Sequence, residues 1–168
     1  MRTQSSPSSR ESHSLSAVKI EQADSATVVE TLKKTLADAY ILQLKTQNFH
    51  WNVEGPLFFS LHKLFEEQYN EIAGFVDRCA EVLRALKCKA PGSFREFQEL
   101  ASIQEVPDKC NCNQMIEILS QDHTNMAIAL KSRLEAAEDA EETSAVTLYE
   151  DMIGFHEKAA WMIRSHKS

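Results

Sequence analysis

Two histidines and three carboxylates carry the spacing that could do chemistry in this chain. His50 stands just before Gly55-Pro56 and His62 just after it, with Glu66 one helical turn further on. Asp77 and Glu81 repeat the same i, i+4 spacing downstream. On a helix, residues four apart share a face. Imidazole nitrogen and carboxylate oxygen together suit a borderline or hard divalent metal such as iron, manganese or zinc. Taken singly, each piece has an ordinary reading. An exposed carboxylate pair is common helix surface, and a histidine near a turn is commonly a hydrogen-bonded structural residue. The metal reading rests on their conjunction.

Geometry constrains how the five could meet. In an antiparallel helix pair, residues equally far from the turn face each other, so His50 and His62 can approach. His62 and Asp77 are fifteen residues apart, which keeps them within about 60° of one helix face but separates them by ~22 Å along the axis. One metal centre cannot span that length. Unless the helix is broken, a second copy lying antiparallel must bring its Asp77 and Glu81 to the first copy's histidines. Isologous contact is reciprocal, so a two-fold dimer would contain two equivalent sites.

The elements that must position these residues are helical. Only four Gly and four Pro occur in 168 residues, 43% of which are apolar, a composition of few turns and long regular elements. Val29, Leu32, Leu36, Tyr40 and Leu44 recur every three or four residues, predicting a first helix from about Asp24-Ser25 to Val53. Gly55-Pro56 ends it, since Pro cannot continue the hydrogen-bond ladder. Leu57 through Leu86 carry the same period through a second helix. Ser93-Phe94-Arg95-Glu96 matches a capping box and predicts a short third helix of about ten residues. Two further helices follow, over roughly Asn113 to Ala137 and through Leu148, Met152, Phe155, Ala159 and Ile163. His123 falls on the apolar stripe of the fourth helix with Leu119, Met126 and Leu130, and reads as a core histidine. The pattern is an all-α, ferritin-like four-helix bundle with a short extra helix in its single crossover. It spans residues 24–168, and the Ser-rich stretch 1–23 is expected to be a flexible tail.

Composition narrows the function classes. The formal net charge of −7 repels phosphate backbones and attracts cations. The N-terminal stretch offsets Arg2, Arg10 and Lys19 with Glu11 and Glu21, so a polybasic DNA-binding arm finds little support, although Arg164, His166 and Lys167 remain near the C-terminus. No apolar run reaches membrane-spanning length. Cys79, Cys88, Cys110 and Cys112 lack the spacing of a disulfide framework, and the expected compartment is the cytoplasm, with nucleoid association if DNA is bound. An intrachain di-iron centre needs Glu-x-x-His on two helices, and the chain contains no such motif.

N-F-H-W-N-V-x-G-P-x-F from Asn48, L-H-x-L-F-E-x-x-Y from Leu61, D-x-x-A-E from Asp77 and H-E-K-A-A-W-M from His156 resemble the Dps family of mini-ferritins over residues 26 to 165. The resemblance implies a hollow homo-dodecamer built from two-fold dimers. Such a shell oxidises Fe(II), preferentially with hydrogen peroxide, and stores ferric mineral; zinc or manganese can substitute for iron. It implies that His50, His62 and Glu66 of one subunit bind iron with Asp77 and Glu81 of the two-fold mate. Glu66 is longer than the Asp found there in some relatives. Trp51 matches a tryptophan beside the centre that intercepts oxidising equivalents; as a plain reading of the residue it is equally an aromatic helix contact. The acidic Glu138, Asp139, Glu141 and Glu142 read either as a cation entrance or as an exposed turn, and Thr147 stands where many relatives carry Asp. Two other readings stay open: a DNA-compacting protein, an activity some relatives have, and a structural bundle that merely binds zinc.

Overall fold

The structure, a computed structural model, describes the backbone of residues 10–106 and 109–167, and side chains within those ranges from residue 27 onward. Among the described residues are five helices and no strand: α1 (Arg10–Asn52), α2 (Phe58–Ala85), α3 (Phe94–Leu100), α4 (Cys112–Asp139) and α5 (Thr143–Arg164). Among the described residues no helix is long and apolar enough to cross a membrane. Of the stretch expected to be a tail, residues 1–9 lie outside the described residues, whereas 10–23 have helical backbone. Neither Gly nor Pro occurs between residues 8 and 54. A helix already nucleated by its packed part gains one hydrogen bond for each residue it adds, so it extends upstream.

α1 packs along α2 and α4 along α5, with α1 also against α4, α2 against α5, and α3 against α1. Ion pairs between Lys45 and Asp122, and between Arg78 and Asp151, set the register of the cross-bundle neighbours. The buried face is the predicted stripe: Leu32, Leu36, Leu61, Phe65, Ile72, Leu119, Leu130, Leu148, Met152 and Ile163 are all in the core. Leu44 departs from it, being 43% exposed. Lys45 takes the inward position instead, only 3% exposed, with its ammonium 2.7 Å from Asp122. Its long aliphatic stem fills core volume while the charge finds a partner, which is why the polarity pattern misplaced the stripe by one residue.

The crossover is held by designed ends rather than by apolar packing alone. Glu96 N–H donates to the Ser93 hydroxyl oxygen at 3.3 Å, while the Ser93 hydroxyl donates to the Glu96 carboxylate at 2.7 Å. The Ser93 half of the predicted box is present, while the Glu96 carboxylate accepts from the Ser93 hydroxyl and from Gly92 N–H, on a helix of seven residues rather than ten. Asn111 and Gln114 form a second box that starts α4. Asp38, buried on α1, accepts from Ser102 N–H at 2.6 Å, Ile103 N–H at 3.2 Å and Arg133 Nη2 at 2.7 Å. One carboxylate thereby ties the crossover and α4 to α1.

Candidate metal centre

α1 ends at Asn52 and α2 begins at Phe58, with Gly55 at φ +96° in the turn between them. Only glycine adopts that backbone without strain. The reversal brings His50 and His62 face to face, ring centroids 3.8 Å apart and planes 21° from parallel. Each ring then bonds to the other's backbone: His50 Nδ1 lies 2.8 Å from the His62 carbonyl, and His62 Nδ1 lies 2.8 Å from the His50 carbonyl. A carbonyl only accepts, so both Nδ1 atoms must carry hydrogen and both neutral rings keep a bare Nε2 lone pair. The His50 carbonyl is available because α1 stops two residues later, leaving the last carbonyls without intrahelical partners. The His62 carbonyl uses its second lone pair. A hydrogen bond from one ring nitrogen to a carbonyl is what fixes ring orientation and tautomer in metal-binding histidines.

Aromatic rings brace the pair on both sides. Phe58 stands 5.0 Å from the His62 ring and Tyr69 meets the His50 ring edge-on at 5.3 Å. Trp51, Phe58 and Phe59 expose much of their apolar surface beside it, Trp51 to 61%. Glu66 lies one turn beyond His62, with its carboxylate 2.9 Å from the Lys63 ammonium. The hydrogen bond and charge of Lys63 hold the Glu66 carboxyl below the usual carboxylate range.

Asp77 and Glu81 are exposed further along α2, which runs unbroken to Ala85. One chain therefore brings His50, His62 and the Glu66 helix turn together and leaves Asp77 and Glu81 apart. Among the described residues no three metal-capable side chains cluster. Between the two carboxylates Cys79 is buried, and burial pushes its thiol up to about 12, so it packs as an inert apolar group. Glu138 and Asp139 end α4, and Glu141 takes φ +54° in the turn that follows.

His123 is in the core, as its stripe position predicts, but it is not alone: its Nδ1 is 2.8 Å from that of His156 on α5. The signal for His156 was available, since it stands four residues after Met152 and seven before Ile163. Tyr69 and Phe58 were also missed as neighbours of the histidines. No spacing rule identifies ring contacts across a turn.

Comparison with known proteins agrees with this architecture. Residues 29–167 match the ferritin-like domain family. The chain is 37% identical over 138 residues to a protein of Bacillus anthracis named DNA protection during starvation protein 2, covering 82% of this chain and 94% of that protein. The crystal structure of Dps from Staphylococcus aureus superposes with a TM-score of 0.81 at 36% identity, covering 84% of this chain and 95% of that one. A Dps protein of Vibrio cholerae, described as a member of a broad superfamily of ferritin-like diiron-carboxylate proteins, superposes with a TM-score of 0.80 at 26% identity, covering 85% and 90%.

Proposed function

This chain belongs to the Dps family of ferritin-like proteins, and from that premise we propose that it oxidises Fe(II) with hydrogen peroxide at sites shared between two-fold related subunits of a dodecameric shell that stores the ferric product. The observation that carries this reading is the reciprocal Nδ1-to-carbonyl bonding of His50 and His62. It leaves both Nε2 lone pairs unused by the chain's own backbone and therefore available to receive Fe(II). Glu66 adds an oxygen donor from the same subunit, and Asp77 and Glu81 of a mate supply the remainder. The apolar Trp51, Phe58 and Phe59 beside the histidines suit a surface that a second copy covers.

Two Fe(II) ions each give one electron to peroxide. Its O–O bond breaks, and two protons complete two waters, so no hydroxyl radical is released. Trp51, adjacent to His50 and exposed, is placed to take up an oxidising equivalent that escapes this two-electron step. The carboxylates supply oxygen donors for a second iron, and the ferric product moves on to the interior. Zinc or manganese would fit the same donors without the redox step.

The relatives' name speaks of DNA protection, and the net charge of −7 favours protection by removing iron and peroxide over protection by coating the duplex. An electrophoretic shift series across salt concentrations separates the two, because coating would give a retarded complex that dissolves as salt rises.

The test of shared sites mixes variants. His62→Ala and Asp77→Ala assemblies should each lose peroxide-driven ferric absorbance. After dissociation and joint reassembly, dimers with both lesions on one site leave the other intact, and activity returns in part. Absence of any recovery in verified mixed shells would sink the shared site.

A further inference from the structure

Cys110-Asn111-Cys112 is a motif that the proposed iron site does not use. Both thiols are free and half-buried, and both pack against the core. Lys109, Asn111 and Asn113, beside and between them, are exposed. Exposure that alternates at every residue marks an extended segment whose alternate side chains share one face. The backbone agrees, since Asn111 sits at φ −82° and ψ 170°. Two reciprocal bonds hold it there: the Asn111 side-chain oxygen accepts from Gln114 N–H at 3.0 Å, and the Gln114 side-chain oxygen accepts from Asn111 N–H at 2.9 Å. The cap of α4 thus also fixes the residue that spaces the two sulfurs.

That spacing selects the chemistry. Side chains two apart on one face of an extended chain leave the backbone roughly 6.5–7 Å from each other. A disulfide needs its Cβ atoms about 3.5–4.5 Å apart, so the capped conformation does not suit one. A metal bridge is longer by two metal–sulfur bonds of ~2.3 Å each, and it spans the gap. Thiolates select soft ions. Zn(II) completes four ligands, and among the described residues no third histidine, cysteine or carboxylate joins the pair. Cu(I), a soft ion content with two thiolates in line, is the occupant that two sulfurs alone satisfy.

Burial pushes the Cys112 thiol up, so binding must displace its proton. Two thiols and one Cu(I) give a dithiolate complex with one residual negative charge and release two protons. Cys112 opens α4, and a helix N-terminus favours that charge.

We propose that Cys110 and Cys112 form a two-thiolate site for a soft monovalent metal ion, Cu(I), shaped by the cap of α4. It is distinct from the histidine and carboxylate donors of the iron site and does not rest on the ferroxidase reading. The assembled full chain, reduced and free of metal, is titrated anaerobically with Cu(I) against a chromogenic Cu(I) chelator. It should withdraw one ion per chain more than the Cys110→Ser, Cys112→Ser double variant does. Either single substitution should weaken that binding by at least ~100-fold, since losing a ligand costs more than losing an outer-shell partner. Cys88→Ser should bind as the unaltered chain does. X-ray absorption at the copper edge, recorded on the unaltered chain loaded with one equivalent, should show two sulfur neighbours. Equal copper uptake by the double variant overturns the proposal, as does a copper ion with nitrogen neighbours or one lost on Cys88→Ser. Zn(II) uptake should be the same with and without the two thiols; a zinc ion lost from the double variant would show that further ligands complete the site and would overturn the two-coordinate reading.

Discussion

The chain contains two histidine pairs, and they differ in what their Nδ1 atoms face. At the α1–α2 turn, His50 and His62 each donate to the other's backbone carbonyl, so neither ring depends on the other for its proton and both Nε2 lone pairs remain available. In the core, His123 and His156 turn Nδ1 toward Nδ1, share one proton, and bury both Nε2 atoms. The same side chain is available for the proposed metal capture in one place and fills the bundle interior in the other. What separates them is a backbone carbonyl within reach and a carboxylate-bearing turn nearby. Imidazoles alone do not make an iron site.

Acid should act hardest on the core pair. Burial lowers His123 from 6.5 to about 3 and holds His156 well below 6.5. Between those limits the unfolded chain binds protons that the folded chain does not, so stability falls as pH drops through 6.5 toward 3. His123 contributes about 1.4 kcal/mol per pH unit over that range, or roughly 3 kcal/mol by pH ~4.5, and His156 acts in the same direction. Urea unfolding across this range should give that slope, and His123→Leu with His156→Leu should flatten it. Equal slopes in the two proteins would mean that the buried pair is not what acid attacks.

Iron chemistry should depend on the other pair. His62→Ala should reduce the rate of peroxide-driven ferric absorbance by at least ~10- to 100-fold, the range found when even an outer-shell partner of a metal is lost. His123→Leu should change that rate little once folded shells are compared. If the core variant proved as inactive as the turn variant, the division of labour between the pairs would be wrong.

The smallest effect concerns Lys63. Its ion pair with Glu66 is exposed on both sides, where solvent and salt screen it. Lys63→Gln should therefore raise the affinity for a second Zn(II) by no more than about 5-fold, read by calorimetric titration of assembled shells. No change would leave Glu66 free to bind metal regardless of its neighbour.

Much of this was legible beforehand because it is local. A 3.6-residue period, the Gly55-Pro56 break and an S-x-x-E box specify helices and their ends from neighbours alone, and they did so within a few residues for α2 and α4. Leu44 and Lys45 show the limit, since a lysine can occupy a core position when a distant carboxylate meets it. His123 was placed in the core from its stripe, but its partner on α5 belongs to another segment and to the way two helices rotate against each other.

The sequence by itself determined the helical bundle, the chain reversal at Gly55-Pro56 and the separation of Asp77 from His62, because helix rise and period are properties of a single segment. Only the tertiary structure decided which ring nitrogen is bound and which is left bare. Hydrogen-bond direction depends on tenths of an ångström between elements that approach from different parts of the chain, and residue types carry no record of that distance.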